Sequence, residues 1–217
     1  MPTKPQKTLV ILTLVITIVA ILVFFTKPAG EKPGIQTTSF DLRDEPTLGN
    51  KHANIHIVLF EDLKCGNCKL FHQNIFPTMK AEYIDSKTAS FTPIILAFIP
   101  DSKPAGNAAY CMYEQSPKYF FAFTDYVFQH QGDEMLDWAT EDRMIEFAQN
   151  IDGVKMKSFK RCMKEKRYYS RLHSNLMLAR KLMKPVRTPA VYINGKLVDP
   201  LGMSTIDSTM TIIKEEQ

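Results

Sequence analysis

Residues 54–70 read "NIHIVLFEDLKCGNCKL", a stretch that carries two cysteines at the junction of two predicted elements. The apolar, β-branched run from Asn54 to Leu63 is typical of a buried strand. The residues after it predict a helix that begins at the cysteines, runs to about Asp85 and is kinked at Pro77, which has no N–H to donate. Cys65 therefore lies at a predicted helix N-terminus, where free N–H groups and the positive end of the helix dipole stabilise an anion.

The spacing of Cys65 and Cys68 allows a metal clamp, a structural disulfide or a redox pair. One CxxC supplies only two of the four ligands that zinc requires; His72 could face the same way, but Cys111 and Cys162 are single residues far apart. A bridge across so small a ring would add little stability. The strand–CxxC–helix context favours a redox pair, in which Cys65 is the exposed nucleophile of lowered pKa and Cys68 resolves the mixed disulfide.

The rest of the chain alternates between strand and helix patterns. A second buried strand is predicted over Ala89–Pro100, and helical spacing dominates from Lys103 to Lys184, including one long helix from about Lys157 to Lys184. "PAVYINGKLV" predicts a strand hairpin with a turn at Asn194 and Gly195, and "MSTIDSTMTIIKEE" predicts a final amphipathic helix. The order indicates an α/β fold with helices inserted into its middle.

Two segments carry a family resemblance. "IVLFEDLKCGNCKLFHQNIFPTMKAEYI" (residues 57–84) and "RTPAVYINGK" (residues 187–196) resemble the thioredoxin-fold thiol-disulfide oxidoreductases of the DsbA-like branch. The resemblance covers about residues 52–217, and it implies a thioredoxin fold with a helical insertion that needs no metal or organic cofactor. It also implies that Thr188 and Pro189 form a cis-proline loop that faces the cysteines and positions a substrate peptide.

The chain departs from the family pattern at positions that bear on the direction of electron flow. Leu59 occupies the place, six residues before the nucleophile, where many relatives carry a buried acid; Glu61 and Asp62 are nearby acids. Strong oxidases of this class usually have histidine before the second cysteine, where this chain has Asn67, and often valine where it has Thr188. These differences predict a less oxidising centre than that of the strongest oxidases.

An uncharged run of 17 residues, "LVILTLVITIVAILVFF" (Leu9–Phe25), precedes the domain. Lys27 and Pro28 after it make a poor cleavage site, which favours an uncleaved signal anchor over a cleaved signal peptide. The predicted organisation is a cytoplasmic tail (1–8), a transmembrane signal anchor (9–25), a tether (26–50) and a thioredoxin-like domain (51–102 and 185–217) with a helical insertion (103–184). By the positive-inside rule, this places the domain outside the cytoplasm, at the inner membrane of the cell and facing the periplasm.

Cys111 and Cys162 are the two cysteines outside the CxxC. In an exported protein two such cysteines most often pair, and relatives with a second disulfide in the helical domain support the pairing. A bridge between them would close a loop of about fifty residues and contribute on the order of 4 kcal/mol. Two buried free thiols and a second redox relay are the alternatives.

The formal net charge of +4 gives little reason to expect a nucleic-acid partner. The basic stretch of residues 155–187 fits a solvated helix face better than an anionic partner. The expected function is a monomeric, membrane-anchored oxidoreductase that forms disulfides in cysteine-containing exported proteins. It would depend on a membrane redox partner, either a quinone-linked oxidase or an electron donor. A reductase or isomerase of the same fold, and a non-catalytic tethered chaperone or metal-binding module, are the alternatives.

Overall fold

The computed structural model describes residues 38–216. Their sheet has five strands in the order β1-β3-β2-β4-β5, and only β2 and β3 run parallel. The strands are β1 (Leu48–Gly49), β2 (Ile55–Asp62), β3 (Ala89–Leu96), β4 (Ala190–Ile193) and β5 (Lys196–Leu197). The predicted hairpin is confirmed: Asn194 and Gly195 both have positive φ, as a tight turn between antiparallel strands requires.

The helical stretch after the cysteines is broken where the sequence places a proline. Helix α1 (Gly66–Asn74) ends at Ile75, helix α2 (Phe76–Met79) follows, and the π-helical turn Lys80–Asp85 completes the stretch. Pro77 has no N–H for the carbonyl of Gln73, one turn earlier, so a regular helix cannot continue through this point. The predicted kink is confirmed, although the stretch divides into three pieces.

The two faces of the sheet bury separate apolar clusters. One face packs against α1, α2 and the closing helix α8 (Met203–Glu215), and it includes Leu59, Phe71 and Ile206. The other face packs against helix α7 (Tyr169–Leu182), with Ala179 against Phe60. The predicted insertion of residues 103–184 therefore contains a helix that covers the sheet itself.

A third cluster lies within the helical insertion. Its helices are α3 (Lys103–Tyr113), α4 (Pro117–Gln129), α5 (Glu141–Ala148) and α6 (Met156–Lys164). The hydroxyl of Thr140 caps α5 by accepting a hydrogen bond from the N–H of Arg143, as the sequence predicts for a helix start.

The prediction of one long helix from Lys157 to Lys184 is wrong, because α6 and α7 are separate. Lys166, two residues after the last residue of α6, has φ of 50°, and this left-handed conformation stops the helix from continuing. Its N–H donates to the carbonyl of Met163, and the N–H of Arg167 donates to that of Cys162, which is the Schellman arrangement. Glycine usually occupies this left-handed position. A lysine there leaves no breaker in the sequence, so the helical spacing continues across the break.

The predicted tether (26–50) is only partly a tether. Its last part, residues 38–50, is bound to the domain and is called the N-terminal strap below. It supplies β1, and the N–H of Thr38 donates to the carbonyl of Gly195. The buried carboxylate of Glu45 accepts a hydrogen bond from Tyr110 and pairs with Arg171 at 2.9 Å. The folded domain thus begins well before residue 51.

The predicted transmembrane segment, residues 9–25, lies outside the described residues. Within residues 38–216, no helix has the length and apolar character needed to cross a bilayer.

Candidate active site

Asp62 builds the junction that carries the cysteines. Its carboxylate accepts hydrogen bonds from the N–H of Lys64, on the approach to α1, and from the N–H groups of Phe98 and Ile99 beyond β3. The hydroxyl of Ser102 is a fourth donor, at 2.9 Å. Burial raises the pKa of this carboxyl group, and the four hydrogen bonds oppose that rise. The same bonds draw the chain away from the sheet after Leu96, so β3 is shorter than the predicted Ala89–Pro100.

Cys65 and Cys68 are thiols in this structure, and their environments differ. Cys65 occupies the N-cap of α1 and is itself buried, with 5% of its surface exposed, so the sequence prediction of an exposed nucleophile is wrong; Cys68, one turn further along, is completely buried. The pKa of Cys65 is lowered to about 6, first because the Cys68 thiol donates a hydrogen bond to its sulfur. The backbone N–H groups of Asn67 and Cys68 lower it further, and partial burial opposes them. Burial raises the pKa of Cys68 well above its usual value, so only Cys65 is readily ionised near neutral pH.

Thr188 and Pro189 lie directly over the nucleophile. The thiol of Cys65 donates to the carbonyl oxygen of Thr188 across 3.6 Å, and the Thr188–Pro189 peptide bond is cis. The buried hydroxyl of Thr188 also acts on this sulfur, where hydrogen bonding from it helps to lower the pKa of Cys65. The two distant segments that carry the family resemblance therefore meet at one sulfur atom.

A buried carboxylate–imidazole pair lies behind Cys68. The Oε2 atom of Glu61 is 2.7 Å from Nε2 of His72, and both side chains are almost completely buried. The imidazole stacks on the ring of Phe128, with centroids 4.2 Å apart. The negative charge of Glu61 contributes, after burial, to the raised pKa of Cys68. Leu59, at the family's usual acid position, points into the apolar core instead.

The loop between α4 and α5 closes over the start of α1. This segment, Gln131–Ala139, is called the site loop below. The side-chain amide of Gln131 donates to the carbonyls of Leu63 and Cys65, at 2.9 and 3.1 Å. The N–H of Gly66 donates to Oε2 of Glu134 at 2.7 Å. The site loop therefore contacts the residues on both sides of the nucleophile.

The sequence of this chain also matches a known protein family. Residues 41–214 match the family model described as thioredoxin. The chain belongs to the thioredoxin family.

Two curated relatives and two solved structures are similar to this chain. Probable disulfide bond formation protein D of Bacillus cereus is 29% identical over 163 residues, which are 74% of this chain and 75% of the relative. Disulfide bond formation protein D of Bacillus subtilis is 27% identical over 158 residues, 72% of this chain and 71% of that one. The oxidised crystal structure of BdbD from Bacillus subtilis superposes with a TM-score of 0.75 at 24% identity, covering 82% of this chain and 96% of that chain. Chlamydia trachomatis DsbA superposes with a TM-score of 0.72 at 23% identity, covering 87% and 99%. The predicted DsbA-like membership and the thioredoxin fold with a helical insertion are confirmed.

The other two cysteines of this thioredoxin-family chain are joined to each other. Cys111 on α3 and Cys162 on α6 form a disulfide, with Cα atoms 5.9 Å apart, inside the apolar cluster of the helical insertion. Both residues are almost completely buried. Within residues 38–216, no group of three or more possible metal ligands is present.

The structure adds four side chains that the sequence reasoning did not assign to the site. Glu61 was noted only as a nearby acid; period-two alternation puts it on the same strand face as Leu59, which is a signal that could have identified it. The i, i+4 spacing of Cys68 and His72 also placed that imidazole on the cysteine side of α1. Glu134 and Gln131 are 66 or more residues away in sequence from Gly66 and Cys65, the residues they bond, and no local pattern marks them.

Proposed function

We propose that this chain is a membrane-anchored, extracytoplasmic thiol-disulfide oxidoreductase that forms disulfides in exported proteins through Cys65 and Cys68. Membership of the thioredoxin family and relatives named disulfide bond formation protein and putative protein-disulfide oxidoreductase support oxidoreductase activity. The observation that carries the assignment is the inequality of the two thiols, with Cys65 ionised near neutral pH and Cys68 protonated and buried. A structural pair or a metal clamp would not require this difference.

The proposed reaction moves two electrons from the substrate to the cysteine pair. A thiolate of the substrate attacks the sulfur of Cys65 in the oxidised pair; a new S–S bond forms and the Cys65–Cys68 bond breaks. Cys68 leaves with the bonding electrons and takes up a proton. A second substrate thiolate then attacks the substrate sulfur of the mixed disulfide, which releases Cys65 as a thiolate. The substrate loses two electrons to become a disulfide, and the pair is left as two reduced sulfurs.

Thr188 and Pro189 are the proposed peptide-positioning residues. The carbonyl oxygen of Thr188 lies beside the reactive sulfur, and its hydroxyl contributes to the lowered pKa of Cys65. Both are hydrogen-bonding groups that a substrate backbone running past Cys65 can reach. Exposed Leu70 on α1 and exposed Met135 and Leu136 on the site loop supply apolar surface for an unfolded client.

The lowered pKa of Cys65 supports the oxidising direction. A hydrogen-bonded thiolate stabilises the reduced protein, and a more stable reduced form makes the disulfide a stronger oxidant. Asn67 and Thr188 instead favour a moderate potential, which keeps a reductase as the second candidate. An oxidase would return its electrons to a membrane quinone-linked partner, while a reductase would receive them from a membrane electron donor.

Oxidative refolding of a reduced, unfolded secreted protein by the full-length chain tests the proposal. The oxidised parent is expected to form about one substrate disulfide per molecule, and Cys65→Ser none. Given an oxidised client, Cys68→Ser should accumulate a mixed disulfide: its Cys65 thiolate attacks the client disulfide, one client sulfur leaves as a thiol, and the resolving sulfur that would release Cys65 is missing. Full function of Cys65→Ser would contradict the redox assignment and favour a tethered chaperone. Efficient reduction of insulin without net oxidation of the client would favour the reductase.

A further inference from the structure

Glu134 places a carboxylate on the first N–H group of the active-site helix. Its Oε2 atom accepts from the N–H of Gly66 at 2.7 Å, and Gly66 is bonded directly to Cys65. Cys65 occupies the N-cap of this helix, and the N–H groups of Asn67 and Cys68 help to lower its pKa. Free N–H groups at this end of a helix stabilise an anion. The N–H of Gly66 is no longer free, because it donates to the carboxylate of Glu134.

Several contacts hold the site loop in this position, so the approach of Glu134 does not depend on one exposed side chain. Gln131 donates to the carbonyls of Leu63 and Cys65, and the ammonium of Lys69 donates to the carbonyl of Gln131. Trp138 packs against Gly132 so closely that a Cβ at residue 132 would lie 2.8 Å from the indole ring. The carboxylate is therefore carried on a loop that is fastened at the nucleophile itself.

The two neighbouring lysines donate hydrogen bonds to backbone carbonyls and not to the Glu134 carboxylate. The ammonium of Lys64 is buried and donates to the carbonyl of Pro100 at 2.8 Å, and that of Lys69 donates to the site-loop backbone at 3.4 Å. No ion pair to Glu134 exists within the stretch from residue 38 to residue 216. The Glu134 carboxylate therefore has no ion-pair partner among the described residues, and it is bonded to the residue that follows Cys65.

We propose that Glu134 is a positioning residue that sets the redox poise of the Cys65–Cys68 pair by opposing the Cys65 thiolate. Two anions at one helix end repel, so Glu134 makes the thiolate, and with it the reduced protein, less stable. A less stable reduced form lowers the reduction potential. Glu134 therefore restrains an otherwise oxidising centre. This inference rests on the proposed redox role of the two cysteines.

Glu134→Gln is the decisive variant, because glutamine keeps an oxygen that can accept from Gly66 and loses the charge. The measurements, on the full-length chain, are the pH dependence of Cys65 thiolate absorbance and the equilibrium constant with glutathione. A charge at a helix terminus is worth a few tenths to about 1 kcal/mol, so the equilibrium constant should change by about two- to fivefold towards the reduced protein. The pKa of Cys65 should fall in the variant, and the difference from the parent should shrink in about 1 M salt, where the Debye length is about 3 Å.

Asp152→Asn is the matched control, since Asp152 is an exposed carboxylate on the connection between α5 and α6. It should leave both quantities unchanged. An unchanged pKa and equilibrium constant in Glu134→Gln would overturn the proposal and leave Glu134 as a helix cap only. Failure of the parent itself to exchange with glutathione would instead contradict the proposed function, so the two failures are distinguishable.

Discussion

The reactivity of Cys65 depends on a hydrogen bond from its own partner. The Cys68 thiol is the largest contributor to the lowered pKa of Cys65, ahead of the opposing effect of burial and the helical N–H groups. The proposed nucleophile, Cys65, and the proposed resolving residue, Cys68, are therefore coupled through this hydrogen bond before any substrate arrives. Removing one sulfur changes the chemistry of the other.

Comparing two substitutions of Cys68 tests this coupling. Serine keeps a hydroxyl donor, whereas alanine removes the donor, so we expect a higher Cys65 pKa in Cys68→Ala than in Cys68→Ser. Since the parent pKa is lowered to about 6, its alkylation rate should rise as pH increases through 6 and level off above it. The pH dependence of Cys65 alkylation by iodoacetamide, from pH 4 to 9, gives the Cys65 pKa in the parent and in both variants. Identical midpoints in the two variants would show that the Cys68 side chain does not donate.

Glu61 is placed to serve the buried thiol. Its carboxylate is held by His72 at 2.7 Å and adds to the raised pKa of Cys68, so it is an acceptor for the proton that Cys68 must lose before attack. We expect Glu61→Gln to slow resolution of a Cys65–glutathione mixed disulfide by on the order of a hundredfold near pH 7, the lower end of what general-base catalysis contributes. The difference in resolution rate between Glu61→Gln and the parent should decrease at high pH, where hydroxide removes the proton of Cys68.

Stopped-flow release of glutathione measures that step. Glu82→Gln, an exposed acid on the π-helical turn, is the control and should behave as the parent. Equal rates for Glu61→Gln and the parent across the pH range would exclude Glu61 as the acceptor.

At this level the sequence was informative wherever chemistry follows from residue type. The strand–CxxC–helix order and a Thr-Pro dipeptide before a strand sufficed to place Cys65, Cys68, Thr188 and Pro189 at one site. Burial and charge at the site could not be read in the same way, because they depend on which distant side chains arrive. Glu134 reaches Gly66 only through the packing of the whole insertion.

Helices α3 and α6 are held together by the Cys111–Cys162 disulfide within the core of the insertion. The two half-cystines are 51 residues apart, so the bridge restricts a long loop of the unfolded chain. The double variant Cys111→Ala, Cys162→Ala should therefore lose on the order of 4 kcal/mol of unfolding free energy in urea. The variant should keep the parent's Cys65–Cys68 reduction potential. A loss below about 1 kcal/mol would show that the bridge adds little, and a changed potential would make it part of the redox site.

Element boundaries followed the sequence where a breaker marks them. Pro77 divides the helix after the cysteines, and Thr140 starts α5. The division between α6 and α7 had no such mark, because Lys166 takes a left-handed conformation that glycine usually supplies. The strap was missed for a related reason: residues 38–50 lack periodicity, and their order comes from contacts to the folded domain.

Across the whole domain, the chain enters at one end of the sheet and the chemistry lies at the other. Thr38 bonds to the Asn194–Gly195 turn, and that turn bonds to His56 at the start of β2. Cys65 follows the end of the same strand, about 23 Å away for a strand of this length. The start of the strap and the two cysteines therefore lie at opposite ends of β2.

The reduction potential of the Cys65–Cys68 pair in the full-length chain tests the central claim most directly. Equilibration with glutathione buffers, read by alkylation of the free thiols, gives the potential in one experiment. A Cys65 thiolate stabilised at neutral pH predicts a value more positive than about −230 mV, which is within or above the glutaredoxin range of about −200 to −230 mV. A value at or below the thioredoxin potential of about −270 mV would contradict an oxidase and make the chain a reductase.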